Sequence, residues 1–212
     1  MEERVMKSKG VYRDFFLHFD ILVMMFIFIL IISFLFTMNL TTTVLLFFPL
    51  GILIYMFSEY LTHRFFFHIK APRNTLLFKL IKRLHYDHHK KPNELKLLFL
   101  PIWYSIPSLF LLSTLLFLLT QSIQYTLSFS IGLLLMFFVY EWKHYVAHRP
   151  LKPKTRFGRW IKKTHTLHHY KNENYWYGVS TPFIDVLFGT LKDEKEVELS
   201  DTAKDLEKRS GK

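Results

Sequence analysis

The chain has 212 residues, half of them hydrophobic and 18% aromatic, with 28 Lys and Arg against 17 Asp and Glu and no cysteine. That composition excludes disorder and low-complexity linkers, and the missing cysteine excludes disulfides, iron–sulfur clusters, thiolate metal sites and cysteine nucleophiles. A net charge of +11 would suit nucleic acid were it interleaved with the fold, but here charge and apolar residues are segregated along the chain, and no nucleic-acid partner is expected.

Residues 1–20 are expected to be a short N-terminal segment. Between Asp20 and Glu59 run 38 residues without a single Asp, Glu, Lys or Arg, and between Lys96 and Glu141 run 44 more. One membrane crossing takes about 20 apolar residues, so each run is predicted to fold as a helical hairpin. In the first, Asn39 to Thr43 separate Ile21–Met38 from Val44–Phe57; in the second, Gln121, Ser122 and Gln124 separate about Pro101–Thr120 from Tyr125–Tyr140. Pro49 with Gly51, and Pro107, should bend their helices. The first apolar segment is expected to stay in the membrane, because 20 residues precede it and no small-x-small cleavage site follows.

Four Lys and Arg lie in residues 1–20, nine in 60–96, fifteen in 141–212 and none in either turn, which places both termini and the central segment on the cytoplasmic side. Residues 192–212 carry seven acids and six bases and are expected to form a solvated tail or surface helix. The fold class is therefore an all-α integral membrane protein: four transmembrane helices in two hairpins, with a His-rich helical cap in the cytoplasm. The membrane would be the plasma membrane in a bacterium and the endoplasmic reticulum in a eukaryote.

Ten of the eleven histidines fall in four windows that together cover 21 residues, where a uniform spread would place about one. The patterns are HRFFFH (His63, His68), HYDHH (His85, His88, His89), HYVAH (His144, His148) and HTLHH (His165, His168, His169). Each pair-then-triplet follows one hairpin. Residues i, i+3 and i+4 share a helix face, so HxxHH and HxxxH aim their rings together. HxxxxH does not: five residues advance about 500° on an ideal helix and leave the rings about 140° apart, so a π-bulge or an unwound end is predicted at His63–His68.

One transition ion takes four to six ligands, so ten imidazoles suit two ions. Neutral nitrogen donors would leave both cations most of their charge, unlike the carboxylate-rich di-iron bundles. Glu59, Asp87 and Glu141 lie close enough in sequence to accept the other ring N–H and fix each tautomer. Helix-end charge is the competing explanation for Glu59 and Glu141. His18, outside every window, is expected to be an interfacial residue.

The order of these boxes on a four-helix scaffold resembles the fatty acid hydroxylase/sterol desaturase superfamily. Glu59-Tyr-Leu-Thr-His-Arg-Phe-Phe-Phe-His68, His85-Tyr-Asp-His-His-Lys-Lys-Pro92, Tyr140-Glu-Trp-Lys-His-Tyr-Val-Ala-His148 and Tyr177-Gly-Val-Ser-Thr-Pro-Phe-Ile-Asp-Val-Leu-Phe-Gly-Thr190 resemble its fatty acid 2-hydroxylase branch most closely. The resemblance covers about residues 59–190. It implies a di-iron monooxygenase domain over residues 21–191, with the ten histidines as ligands, zinc able to replace the iron, and O₂ as co-substrate. One oxygen would be inserted into a long acyl chain, typically at carbon 2. Two electrons must then come from a separate carrier of ferredoxin or cytochrome b5 type, since no flavin, haem or nicotinamide motif is present. Glu94 stands where an Asp is expected, and no fused cytochrome b5 sequence precedes the first helix.

Tyr140, Asn174, Tyr175 and Trp176 are candidate contacts to the lipid substrate, set against ordinary interfacial belt anchoring. Three alternatives remain: a sterol desaturase or methyl oxidase, a carotenoid ring hydroxylase, and a His-rich metal transporter. The transporter would need ionisable residues at mid-bilayer depth, and neither uncharged run contains His, Asp or Glu.

Overall fold

The computed structural model describes residues 8–209. Among them there is no strand, and three helices are long and apolar enough to cross a membrane, or four if a bent pair counts as one span. The helices are α1 (Ser8–Phe16), α2 (Phe19–Leu35), α3 (Thr42–Leu61), α4 (Thr75–Ile81), α5 (Asp87–Lys90), α6 (Leu95–Leu98), α7 (Ile102–Thr120), α8 (Ile123–Ala147), α9 (Arg156–Tyr170) and α10 (Phe183–Leu187). The bent pair is Gly10–Phe16 with Phe19–Leu35, at 57°.

The described residues divide into two compact units. The first comprises 8–55 and 100–139 and holds the apolar helices. Its core is apolar. Leu35, Val44 and Ile131 form a core flanked by Phe28, Ile31, Phe48 and Tyr125. α3 and α8 meet at two glycines: a Cβ on Gly51 would lie 2.1 Å from the Phe129 carbonyl oxygen, and one on Gly132 2.1 Å from that of Phe48. Small residues that let backbones touch are the usual adhesive where lipid removes any hydrophobic drive between helices. Ser113 and Ser130 add a 2.8 Å hydroxyl contact between α7 and α8. Phe26, Ile29, Phe110, Leu118 and Leu119 lie exposed on this unit, as lipid-facing side chains would. Pro49 and Pro107 both sit inside continuous helices, α3 and α7.

Helix ends differ from the apolar runs that predicted them. α2 stops at Leu35, short of Met38, while α3 continues past Phe57 and α8 past Tyr140. Hydropathy ends a span at its first polar residues, but Glu59 of α3 is hydrogen-bonded and Glu141 of α8 is buried within the second unit, so the helices go on.

The second unit comprises 56–99 and 140–209. The predicted irregularity is present as a π-helical turn over Thr62–Phe67, and a second such turn covers Lys82–Tyr86. Asn74 caps α4 by accepting from the Leu77 N–H at 2.9 Å, and Thr155 caps α9 through the Gly158 N–H at 3.0 Å. Lys162 closes the end of α8, donating to the carbonyls of Val146, Arg149 and Leu151 at 2.6–2.9 Å.

Of residues 192–212, expected to form a solvated tail or surface helix, 210–212 lie outside the described residues and 192–209 pack within the second unit instead of standing in solvent as a tail. Val197, Ala203 and Leu206 are buried, and Leu206 packs with Ile81 and Tyr86. Lys82 and Lys90 pair with Glu207, Lys90 also with Asp205, and the Ser200 N–H donates to the Lys171 carbonyl at 2.8 Å. Alternating charge mimics a solvated segment, but three apolar residues suffice to pin it when the charges meet partners.

Candidate metal centre

All ten window histidines belong to the second unit and are buried, His148 least so at 9% exposure. They converge into two groups of five. His63, His68, His85, His89 and His168 form the first; His88, His144, His148, His165 and His169 form the second. Within each, one nitrogen per ring lies within 4.8 Å of the others.

The grouping follows from helix geometry. The π turn brings His63 and His68, which an α-helix would splay, to 3.3 Å between Nε2 atoms. Each HxxHH then divides. Its first and last histidines, one turn apart, join the pair of their own repeat, and its middle histidine crosses to the other group. His88 thus serves the second group and His168 the first. The two closing histidines, His89 and His169, stack at 4.0 Å where the groups adjoin.

Metal–imidazole bonds are about 2.0–2.1 Å, so two ligands on one ion stand about 2.9 Å apart at a right angle and about 3.3 Å apart at the tetrahedral angle. The Nε2–Nε2 distances are 2.8–3.3 Å in the first group, and 2.8 and 2.9 Å for His144–His88 and His148–His165 in the second. Backbone carbonyls fix the tautomers. Nδ1–H donates to Tyr177 O from His63 (2.5 Å), to Ala203 O from His89 (2.7 Å), to Tyr175 O from His168 (2.8 Å) and to Leu98 O from His144 (2.8 Å). A carbonyl can only accept, so each Nε2 keeps its lone pair for a cation. The Nδ1 atoms of His88 and His165 and both ring nitrogens of His169 are buried without a hydrogen-bond partner. Such atoms cost about 1–3 kcal/mol each, which a bound cation would offset at His169. The donor sets therefore fit metal ions.

Burial holds the rings neutral. It drives His89 down to about 3, and carries His68, His85, His88, His148, His165, His168 and His169 well below the ordinary histidine value, with neighbouring imidazoles adding to the effect. Neutral rings are the metal-binding form.

Two of the three candidate carboxylates have partners other than a ring N–H. Glu59 accepts from the Val179 and Ser180 N–H groups at 2.7 and 3.0 Å and from the Ser180 hydroxyl, so it anchors that loop. Asp87 pairs with Lys82 at 2.9 Å. Glu141 is fully buried on α8. Of the candidate substrate contacts, Tyr140 stacks on His144 at 5.7 Å. Asn174 accepts from Arg209 at 3.0 Å, Tyr175 serves through its carbonyl, and Trp176 is a core residue, 1% exposed, with its indole N–H on Lys192 O at 3.0 Å. Sequence reasoning missed the carbonyls of Leu98, Tyr177 and Ala203, which carry no side-chain signature. It also missed Arg209, which donates to the His68 carbonyl at 2.9 Å and pairs with buried Glu173 at 3.6 Å.

Among the described residues the chain is helical, with helices apolar enough to cross a membrane and two adjoining groups of five imidazoles that could each hold a metal ion, and this defines a class of membrane-type helical proteins with paired histidine clusters. Comparison with known proteins makes this specific. The fatty acid hydroxylase profile matches residues 48–190. Fatty acid 2-hydroxylase of Rattus norvegicus is 34% identical over 150 residues, 70% of this chain and 40% of that one. Dihydroceramide fatty acyl 2-hydroxylase of Arabidopsis thaliana is 33% identical over 69% of this chain and 60% of its own. The solved structure of full-length Scs7p, in which only the hydroxylase domain is visible, superposes with a TM-score of 0.76 at 25% identity, covering 85% of this chain and 67% of that one. The chain belongs to the fatty acid hydroxylase family. It spans 40% of the length of the mammalian relatives it matches.

Proposed function

We propose that this chain is a membrane-bound di-iron monooxygenase that hydroxylates a long acyl chain at carbon 2. The observation that carries the reading is the pair of five-imidazole sets, each complete without a carboxylate, in a chain of the fatty acid hydroxylase family. Two iron ions held there would supply O₂ activation: O₂, two electrons and two protons convert one C–H to C–OH and leave one water. The ten histidines are the ligands. Carbonyls of Leu98, Tyr175, Tyr177 and Ala203 hold four of their rings in the metal-binding tautomer, and Tyr140, stacked on His144, is the residue best placed to meet substrate.

The distribution of Lys and Arg supports two hairpins with the His-bearing helices and both termini in the cytoplasm. His63 and His144 follow Glu59 and Glu141, the ends of the uncharged runs, by four and three residues. A lipid with its head at that surface presents its first carbons at this depth, which favours carbon 2. The names of the relatives suggest a free or sphingolipid-linked acyl chain. An acidic electron carrier suits the basic cytoplasmic segments.

Expression in a host lacking the activity should yield 2-hydroxy acyl chains carrying one ¹⁸O from ¹⁸O₂. A desaturated chain without added oxygen, or an oxidised sterol or carotenoid, would move the assignment to those branches.

A further inference from the structure

Asp185, in the segment Thr181-Pro-Phe-Ile-Asp-Val-Leu-Phe-Gly-Thr190, has no place in the chemistry above, yet it is fully buried. Its carboxylate receives the Tyr177 N–H at 2.8 Å on one oxygen, the Gly178 N–H at 2.8 Å on the other, and the Thr190 hydroxyl at 2.7 Å. Two successive N–H groups on one carboxylate fix the backbone between them. Gly178 allows that approach, since a Cβ there would lie 2.2 Å from Thr181 O and 2.7 Å from Asp185 Oδ2.

Immediately before this clamp, Trp176 has φ +58, a left-handed conformation that a bulky side chain adopts only when its surroundings impose it. The Trp176 N–H donates to Thr190 O at 3.1 Å and its indole to Lys192 O at 3.0 Å. The carbonyls on either side of this residue, Tyr175 O and Tyr177 O, are the ones that take the His168 and His63 Nδ1–H groups. Both histidines belong to the first group and neither to the second.

We infer that Asp185 is a positioning residue of the first metal site, acting through the clamped backbone of residues 175–178 to hold His63 and His168 in the metal-binding tautomer. Asn at 185 would keep one acceptor and turn an NH₂ toward a backbone N–H, releasing one end of the clamp. Partners of this outer kind are worth 10–100-fold in metal affinity.

The inference rests on the two-metal reading, and Co²⁺ titration followed by visible absorption tests both. Full-chain His165→Ala protein retains only the first group intact, and His168→Ala only the second. Adding Asp185→Asn should weaken Co²⁺ binding about 10–100-fold in the His165→Ala background and leave it unchanged in the His168→Ala background. Equal weakening in both, or none in the first, overturns the inference alone. A parent chain binding fewer than two Co²⁺ ions overturns the two-metal reading and this inference with it. Should Asp185→Asn not fold, Thr190→Val removes one bond of the clamp at constant volume and must show the same selectivity, in smaller measure, for the inference to stand.

Discussion

At the scale of single residues, a buried cluster of uncharged imidazoles has a definite pH signature. His68, His85, His88, His89, His148, His165, His168 and His169 each have a folded-state pKa below the unfolded value near 6.5, so below that pH the unfolded chain binds more protons and stability must fall as pH falls. Above about pH 6.5 the contribution is complete. Between there and the folded value, about 3 for His89, each histidine still neutral in the fold costs about 1.4 kcal/mol per pH unit. Metal-free protein in detergent should therefore melt at a constant temperature from pH 8 to 7 and at steadily lower temperatures from pH 6.5 to 5. A flat melting temperature down to pH 5 would mean the rings are hydrated rather than buried. Arg209 and Glu173 add the opposite device: a guanidinium at the edge of the first group, held by a carboxylate only 1% exposed.

At the scale of elements, the four His windows and the need for a π turn at His63–His68 were readable because side-chain spacing maps directly onto helix angle. The division of each HxxHH between two groups was not, since it depends on which helices face each other. The second π turn, at Lys82–Tyr86, had no periodic signal at all. Residues 192–209 misled because charge balance describes a solvated segment and a salt-bridged one equally well. Supporting carbonyls were invisible for a simpler reason: any residue type supplies one, so nothing marks Ala203 as the partner of His89. Gly51 was legible as a possible bend, but the structure gives it a packing role. Gly51→Ala would drive a methyl into the Phe129 carbonyl of α8, and should destabilise the first unit by about 1–3 kcal/mol in detergent denaturation. An unchanged unfolding midpoint would show that α3 and α8 do not approach this closely.

At the scale of the whole chain, the organising idea is duplication with exchange. Two histidine repeats, each a pair followed by a triplet, each build a group of five imidazoles from four of their own histidines and one borrowed from the other. Neither pocket is complete without both repeats, so loss of a single crossing histidine reaches across the sequence to the other half. With metal bound as proposed, the exchange would also tie the ions to the fold, as binding energy for metals is folding energy where ligands come from distant segments. The most direct test of this account is a count and placement of metal in purified protein, by elemental analysis with anomalous diffraction at the iron edge. Two ions per chain are expected, one within each five-histidine group, and His88→Ala should deplete the second group while His168→Ala depletes the first. A single ion, or two ions bound outside these groups, would contradict it.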